Sequence, residues 1–400
     1  MSISKQVMII GTATLMAASW SAQAQEDAVT TAIKGGKVLA DIRLRYETVD
    51  DSINDDADGL TLRTRLGYQT GSLAGFKLLG EFTDTRTVAG VDEFAPEEPG
   101  YAVIADPSNT ELNRAVISYE GFANTWLGLG RQRIILDNAR WVGNVGWRQK
   151  EQTFDAASVD YTLAEDWKLS YDYMTRVQGI TEAFDRDVNN HILNIGFSGW
   201  DIGALVGYAY LLEDDDSNDT SNTYGLRLNG KVAGDNLSWM YTAEYARQNV
   251  ALDKVNPMTG RDDYDADYYA LSGGVGFGAM TVLAGYEVLG SDDGDYGLQT
   301  PLATKHAFNG WADMFLATPQ DGLRDAYIDL GANWLGLKWG AVYHDYRADS
   351  GSDRYGSEID LLLAKKFSQY YTVGLKYADY QADDFSEDRK KLWVWIDFAY

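Results

Sequence analysis

The sequence predicts an all-β fold: a transmembrane antiparallel β-barrel of eighteen strands, with short periplasmic turns and long acidic extracellular loops. Three observations predict it. Apolar and polar residues alternate with period two over many stretches, the connections between them alternate in length, and the last stretch runs to an aromatic residue, Tyr400.

At the N-terminus Lys5 precedes a short apolar run from Val7 to Ala18, and Ala22 and Ala24 are small residues of the kind a signal peptidase accepts. The expected organisation is a signal peptide over 1–24, a periplasmic lead-in over 25–37 and the barrel over 38–400. The apolar run falls short of the roughly 20 residues that cross a bilayer as a helix. Cysteine is absent, which removes disulfides, thiolate catalysis and cysteine-ligated metals. A net charge of −26, from 60 acidic and 34 basic residues, argues against nucleic acid as a partner. The acidity is not that of a disordered chain, because 12 Trp, 26 Tyr and 13 Phe accompany it.

The alternation is explicit in VLADIRLRYET, where Ala40, Ile42, Leu44 and Tyr46 oppose Asp41, Arg43, Arg45 and Glu47. LTLRTRLGYQT repeats it, with Leu60, Leu62, Leu66 and Tyr68 against Arg63, Arg65 and Gln69. WKLSYDYMTR sets Trp167, Leu169, Tyr171 and Tyr173 against Lys168, Asp172 and Arg176, and NLSWMYTAEYA continues the pattern. Strand candidates fall near 38–48, 59–70, 75–86, 110–120, 125–134, 151–162, 166–177, 189–198, 200–212, 221–231, 236–248, 264–275, 278–289, 324–334, 337–347, 355–366, 370–381 and 390–400. The pieces at 189–198 and 264–275 carry the weakest pattern. An even count lets an antiparallel sheet close with both ends on one side.

Connections after even strands are short, as near 71–74 and 121–124; those after odd strands are longer and acidic, as at 50–58, 87–109, 212–220 and 249–263. In the last stretch Leu392, Val394, Ile396, Phe398 and Tyr400 share one face and Trp393, Trp395 and Asp397 the other, as expected of a closing strand.

With apolar faces toward lipid, Arg43, Arg45, Arg63, Arg65, Lys77, Arg114, Lys168 and Arg176 point into the lumen, with Arg227 and Lys231 extending the set. They form either a wall neutralised by Asp41, Glu47, Glu81, Glu120 and Asp172, or a path that prefers anions. Arg131 and Arg133 share parity with Leu127 and Leu129, which directs them toward lipid. Either a bulge near Gly128 or Gly130 reverses the face, or the strand has already reached the membrane boundary; both readings stay open. The acidic loops around Asp55 and Asp215 form a solvated rim that suits at most weak calcium binding, and no cofactor or resident metal is expected. The interval 290–323 carries His306, Phe308, Trp311 and Phe315 between Pro301 and Pro319, which suits a loop packed over the opening or lowered into the lumen as a constriction.

The segments at 106–121, 129–156 and 300–325 resemble the alginate-export-like family of bacterial outer-membrane porins. The resemblance covers most of the expected mature chain and implies an eighteen-stranded barrel; some members carry anionic polysaccharide through an arginine-lined pore. The family's glycine-arginine-glutamine motif falls on Gly130, Arg131 and Gln132, and its later basic position on Arg140.

The expected function is passive diffusion of hydrophilic, more specifically anionic, solutes across the outer membrane of a Gram-negative bacterium. The alternatives are dedicated export of an acidic oligosaccharide, a structural or adhesive barrel, or an outer-membrane hydrolase. His191, His306 and His344 are scattered and no nucleophile motif accompanies them, so an enzyme is not expected. The partners implied are outer-membrane lipid and lipopolysaccharide, the barrel-assembly machinery, the solutes, and a periplasmic protein if transport is coupled to one.

Overall fold

Period-two segments become strands because only a pleated strand places alternate residues on opposite faces. The computed structural model describes residues 22–400. After a helix α1 (Ala22–Lys34) come β1 (Lys37–Asp51), β2 (Ala57–Gln69), β3 (Phe76–Glu93), β4 (Asn109–Tyr119), β5 (Thr125–Gln132) and β6 (Thr153–Ala164). They are followed by β7 (Trp167–Gln178), β8 (Arg186–Trp200), β9 (Gly203–Glu213), β10 (Thr220–Ala233), β11 (Leu237–Ala251), β12 (Asp263–Phe277) and β13 (Met280–Leu289). A two-rung hairpin, β14 (Ser291–Asp292) and β15 (Tyr296–Gly297), opens the longest loop. The chain finishes with β16 (Leu323–Trp334), β17 (Leu337–Arg347), β18 (Arg354–Lys366), β19 (Tyr371–Ala382) and β20 (Arg389–Ala399).

Apart from the small hairpin, each strand pairs antiparallel with its sequence neighbours, and β1 pairs with β20 from Asp41↔Ala399 to Asp51↔Arg389. The result is a closed barrel of eighteen strands, as the alternation predicts. The two weakly patterned stretches are full strands, β8 and β12, longer than their sequence signal. The expected signal peptide falls mostly outside the described residues, and its cleavage point after Ala24 lies within α1.

Loop asymmetry holds with one correction. The acidic stretch at 50–58 is strand at both its ends, which leaves a connection of only 52–56, shorter than the 70–75 turn at the opposite end. Asp51 caps this bend by accepting the backbone N–H groups of Ile53 (3.1 Å) and Asn54 (2.9 Å), so the chain reverses tightly.

The outward face is apolar and open: Phe82, Leu129, Trp239, Leu271 and Trp334 are all exposed. The inward face is polar and closed: Arg45, Arg63, Glu81, Glu287, Asp325, Glu358 and Asp360 are buried. This inversion of the usual soluble arrangement is what hydrocarbon outside and satisfied polar groups inside require. Aromatic pairs such as Phe76–Tyr119 (ring centroids 4.6 Å apart) and Trp167–Phe197 (4.7 Å) gird the short-turn end.

Candidate translocation path

The lumen is not empty, because the connections at 133–152 and 290–322 fold into it and interlock. Gly143 N–H donates to the Leu302 carbonyl (2.9 Å), Thr304 N–H to Ala139 (3.0 Å), and the Gln152 amide to both Gly143 (2.8 Å) and Leu302 (3.0 Å). Their apolar side chains reach opposite walls. Trp141 packs on Tyr208 and Tyr268 and donates its indole N–H to Glu244 (2.8 Å), while Phe315 sits among Tyr346, Tyr355, Tyr380 and Phe385. The interval expected to pack over the mouth or enter the lumen therefore enters it. The tip is seated by backbone: Trp311 and Ala312 N–H donate to Asp360 (3.2 Å) and Glu358 (2.7 Å). Gly310 (φ +86°) permits this turn, since a Cβ there would meet the Glu358 carboxylate and the Tyr346 hydroxyl.

The two loops share one charged knot. Arg148 reaches Glu47 of β1 (3.1 Å), Asp106 of the 94–108 loop (3.5 Å) and Asp313 of the long loop (2.9 Å). Burial would depress its guanidinium, yet these three carboxylates hold it above its ordinary value. Asp313 also accepts from Lys391 of β20 (2.8 Å) and from His306 Nδ1 (2.7 Å). His306 Nε2 faces the Lys376 ammonium (2.7 Å), and its ring stacks on Trp147 (5.1 Å, 3° between planes). Burial, opposed by Asp313, holds the His306 pKa down at about 3, which fixes a neutral Nδ1–H tautomer between carboxylate and ammonium. Lys376 lies over Trp311 at 3.7 Å and Trp147 at 4.4 Å, an aromatic cage for an ammonium.

Most of the arginines and lysines read as luminal do face inward, but they are spent on the wall and the loops. Arg43 binds Asp397 (2.6 Å) and the Trp147 carbonyl (2.9 Å). Arg45 holds Asp106 and the Trp147 carbonyl, and Arg63 holds Asp41. Arg65 donates to the Gln149 carbonyl (2.8 Å), Arg114 forks onto Glu81 (2.7 and 2.8 Å), and Lys77 meets Glu120 (2.7 Å). Lys168 is exposed near the short-turn end. Arg176 is the exception. A bulge at Thr175 breaks the parity, so Arg176 stands opposite Asp155 and Asp187 on the outer face, while Val177 and Phe154 are buried inside.

The open cases divide in the same way. Arg131 keeps strict alternation and stands outside, forked onto Asp155 (2.8 and 3.0 Å). Arg133 lies just past β5 and turns onto buried Glu151 (2.5 and 2.7 Å), which burial opposes but Arg65 and Arg133 hold at about 2. Arg140 is buried against Glu287 (2.8 Å) and Asn309 (3.0 Å), with Phe308 4.7 Å from its guanidinium.

A cavity of about 490 Å³ remains at the long-loop end. Its walls are apolar, from Val49, Val103, Ile180, Phe184 and Leu316 among others. Five cationic side chains line it, Arg148, Arg186, Lys305, Arg389 and Lys391, against the two carboxylates Asp51 and Asp313. Burial, reinforced by Arg140 and Arg186, lowers the Lys305 pKa to about 8. Sequence reasoning missed this set. Arg148 and Lys305 lie in loops whose direction carries no periodic signal, whereas inward parity in their strands could have flagged Lys376 and Lys391. Among the described residues, no group of three or more His, Asp or Glu is placed to hold a metal ion.

The architecture defines a transmembrane β-barrel whose lumen is partly filled by its own loops, with a cavity lined by five cations and two carboxylates at the long-loop end. The model of the family described as "Alginate export" matches residues 37–285, and the chain belongs to that family. No curated protein matches it in sequence. Among solved structures, the fold is similar to OccAB1 of Acinetobacter baumannii (TM-score 0.69, 13% identity, 92% of this chain and 97% of that one). It is also similar to OpdL of Pseudomonas aeruginosa (0.70, 14%, 92% and 99%) and to OpdK of Pseudomonas aeruginosa with vanillate (0.68, 14%, 91% and 98%).

Proposed function

We propose that the protein is an outer-membrane porin that passes small anionic solutes by passive diffusion, taking them first into the 490 Å³ vestibule. The carrying observation is the charge of that cavity, where five cations face two carboxylates beside an apolar wall. Such a surface attracts a carboxylate, phosphate or sulfate and tolerates an apolar body attached to it. The solved OpdK structure with vanillate, an aromatic carboxylate, supports this reading by likeness of fold. The wall arginines are bound to carboxylates and loop carbonyls, and in the vestibule Arg148, Lys391 and Arg389 are likewise paired, so the charge left for a solute rests chiefly on Arg186 and Lys305, which donate to the Pro301 and Leu316 carbonyls.

The test is the reversal potential of the barrel in planar bilayers under a salt gradient. Arg186→Gln with Arg389→Gln should lower the anion-to-cation permeability ratio severalfold. Cation selectivity in the unaltered protein, or a ratio untouched by the pair of substitutions, overturns the proposal.

A further inference from the structure

The arginines of this protein fall into two populations, and the second lies outside the barrel. Arg86, Arg176, Arg247 and Arg347 all point away from the lumen, with side chains 56%, 39%, 46% and 62% exposed. Each lies in an ascending strand, and those strands begin at Phe76, Trp167, Leu237 and Leu337, so each arginine stands about ten residues along its strand. At about 3.3 Å per residue and a tilt near 40°, ten residues climb about 25 Å, the height of the apolar band of an outer-membrane barrel. The outward residues beneath them are lipid-facing: Phe82 and Leu78, Leu169 and Tyr173, Tyr245 and Trp239, Tyr343 and Trp339. Four guanidinium groups spread round the wall thus share one level, the far edge of the hydrocarbon.

Each has an aspartate beside it. Arg86 meets Asp84 (2.9 Å), Arg176 meets Asp187 (2.8 Å), Arg247 meets Asp265 (3.0 Å) and Asp267 (3.3 Å), and Arg347 shares Asp345 (3.0 Å) with Arg354. Exposed pairs of this kind stabilise a fold by only about 0–1 kcal/mol, so stability alone does not account for their repetition at one height. A guanidinium has five donors, and these contacts leave some of them unspent, fewest at Arg247, which meets two carboxylates. What lies at this level in a membrane is the phosphate layer, which arginine recognises with two parallel hydrogen bonds.

From this we infer that the outward arginines form a collar that binds the phosphates of a phosphorylated glycolipid of the lipid A type in the outer leaflet. The occupant follows from orientation, because the collar lies at the long-loop end, which faces the cell exterior; to that extent the inference rests on the outer-membrane reading. A glycolipid carrying phosphates on a rigid sugar can bridge neighbouring arginine–aspartate pairs along the wall.

Native mass spectrometry of the barrel purified from outer membranes in detergent tests the collar. The probes are bisphosphorylated lipid A, the same lipid with its phosphates removed, and phosphatidylglycerol, each with and without magnesium. Bisphosphorylated lipid A should bind about tenfold more tightly than the other two, and Arg86→Gln, Arg247→Gln and Arg347→Gln combined should erase the difference. Equal binding of the two lipid A forms by the unaltered protein overturns the inference, as does a triple variant that keeps the preference. Phosphatidylglycerol bound as tightly as lipid A overturns the glycolipid assignment. If the triple variant fails to fold, the lipid series on the unaltered barrel decides alone. Single-channel conductance of the same samples separates this result from the porin reading, since the collar lies outside the lumen and its loss leaves conductance unchanged.

Discussion

Arg148 Nη2 and Asp313 Oδ2 stand 2.9 Å apart inside the barrel, one from each infolded loop, and 165 positions separate them in the chain. No strand supplies either residue, yet the bond couples the positions of both loops. Lys391 anchors the same carboxylate to β20, and Glu47 anchors the same guanidinium to β1.

Asp313→Asn should free the two loops from one another. It leaves Arg148 and Lys391 short of a buried counter-charge, a change worth about 3–5 kcal/mol when a buried pair is broken. Because the strand ladder is untouched, the effect should appear as a larger and noisier single-channel conductance, with little change in the unfolding of the barrel itself.

Anion preference should fall as pH rises through about 8, where Lys305 loses its charge. Below that value the ammonium contributes to the vestibule; above it the cavity keeps its carboxylates and loses a cation. Reversal potentials measured between pH 7 and pH 9 should show the decline, and Lys305→Gln should give the pH 9 behaviour at both values.

Acid should loosen the lumen before it opens the barrel. The folded His306 pKa of about 3 lies below the ordinary 6.5, so the unfolded loop binds a proton that the packed one refuses. Stability present above pH 6.5 is therefore lost as pH falls toward 3. Asp313, held well below its usual range, and Glu151, held at about 2, add losses of the same sign at lower pH. Quenching of Trp147 and Trp311 fluorescence by iodide, followed from pH 7 to pH 3, should rise while far-ultraviolet circular dichroism stays constant.

Leu271→Arg should destabilise the inserted barrel by about 2–4 kcal/mol, the depth-dependent penalty for arginine on a lipid-facing wall. Leu271 is 66% exposed on the outer face of β12, so the loss comes from the membrane and not from packing. Urea unfolding in lipid vesicles should register it, and the same substitution in detergent should be milder.

Intact-mass measurement of the exported protein should show loss of residues 1–24, leaving Gln25 as the first residue. A mass that retains Lys5 would refute the signal-peptide assignment.

The strands were legible because lipid imposes a rule with period two on every one of them, so even β8 and β12 could be placed from faint alternation. A single inserted residue defeats the rule locally: Thr175 turns Arg176 to the outside with no change in composition. The site was less legible for a deeper reason. Whether 133–152 and 290–322 fold inward or outward depends on partners far away in sequence, such as Arg43 with the Trp147 carbonyl, and no local pattern encodes such a partnership. Parity assigns Arg43, Arg63 and Arg65 a direction but not their partners, Asp397, Asp41 and the Gln149 carbonyl, because it does not report the company a side chain keeps.

The pairing of β1 with β20 has a consequence for assembly. It joins Asp41 to Ala399 and Asp51 to Arg389, so the seam that turns a curved ribbon into a tube waits until nearly the whole length of polypeptide is in hand. Until then both margins of the growing ribbon carry unsatisfied amides and carbonyls, which hydrocarbon penalises and stray strands can capture. Every other rung can form between neighbours, with low contact order; this one alone is long-range and slow. The seam is therefore the step that commits the ribbon to a tube, and the stretch between first strand and last is where the chain is most exposed to mispairing.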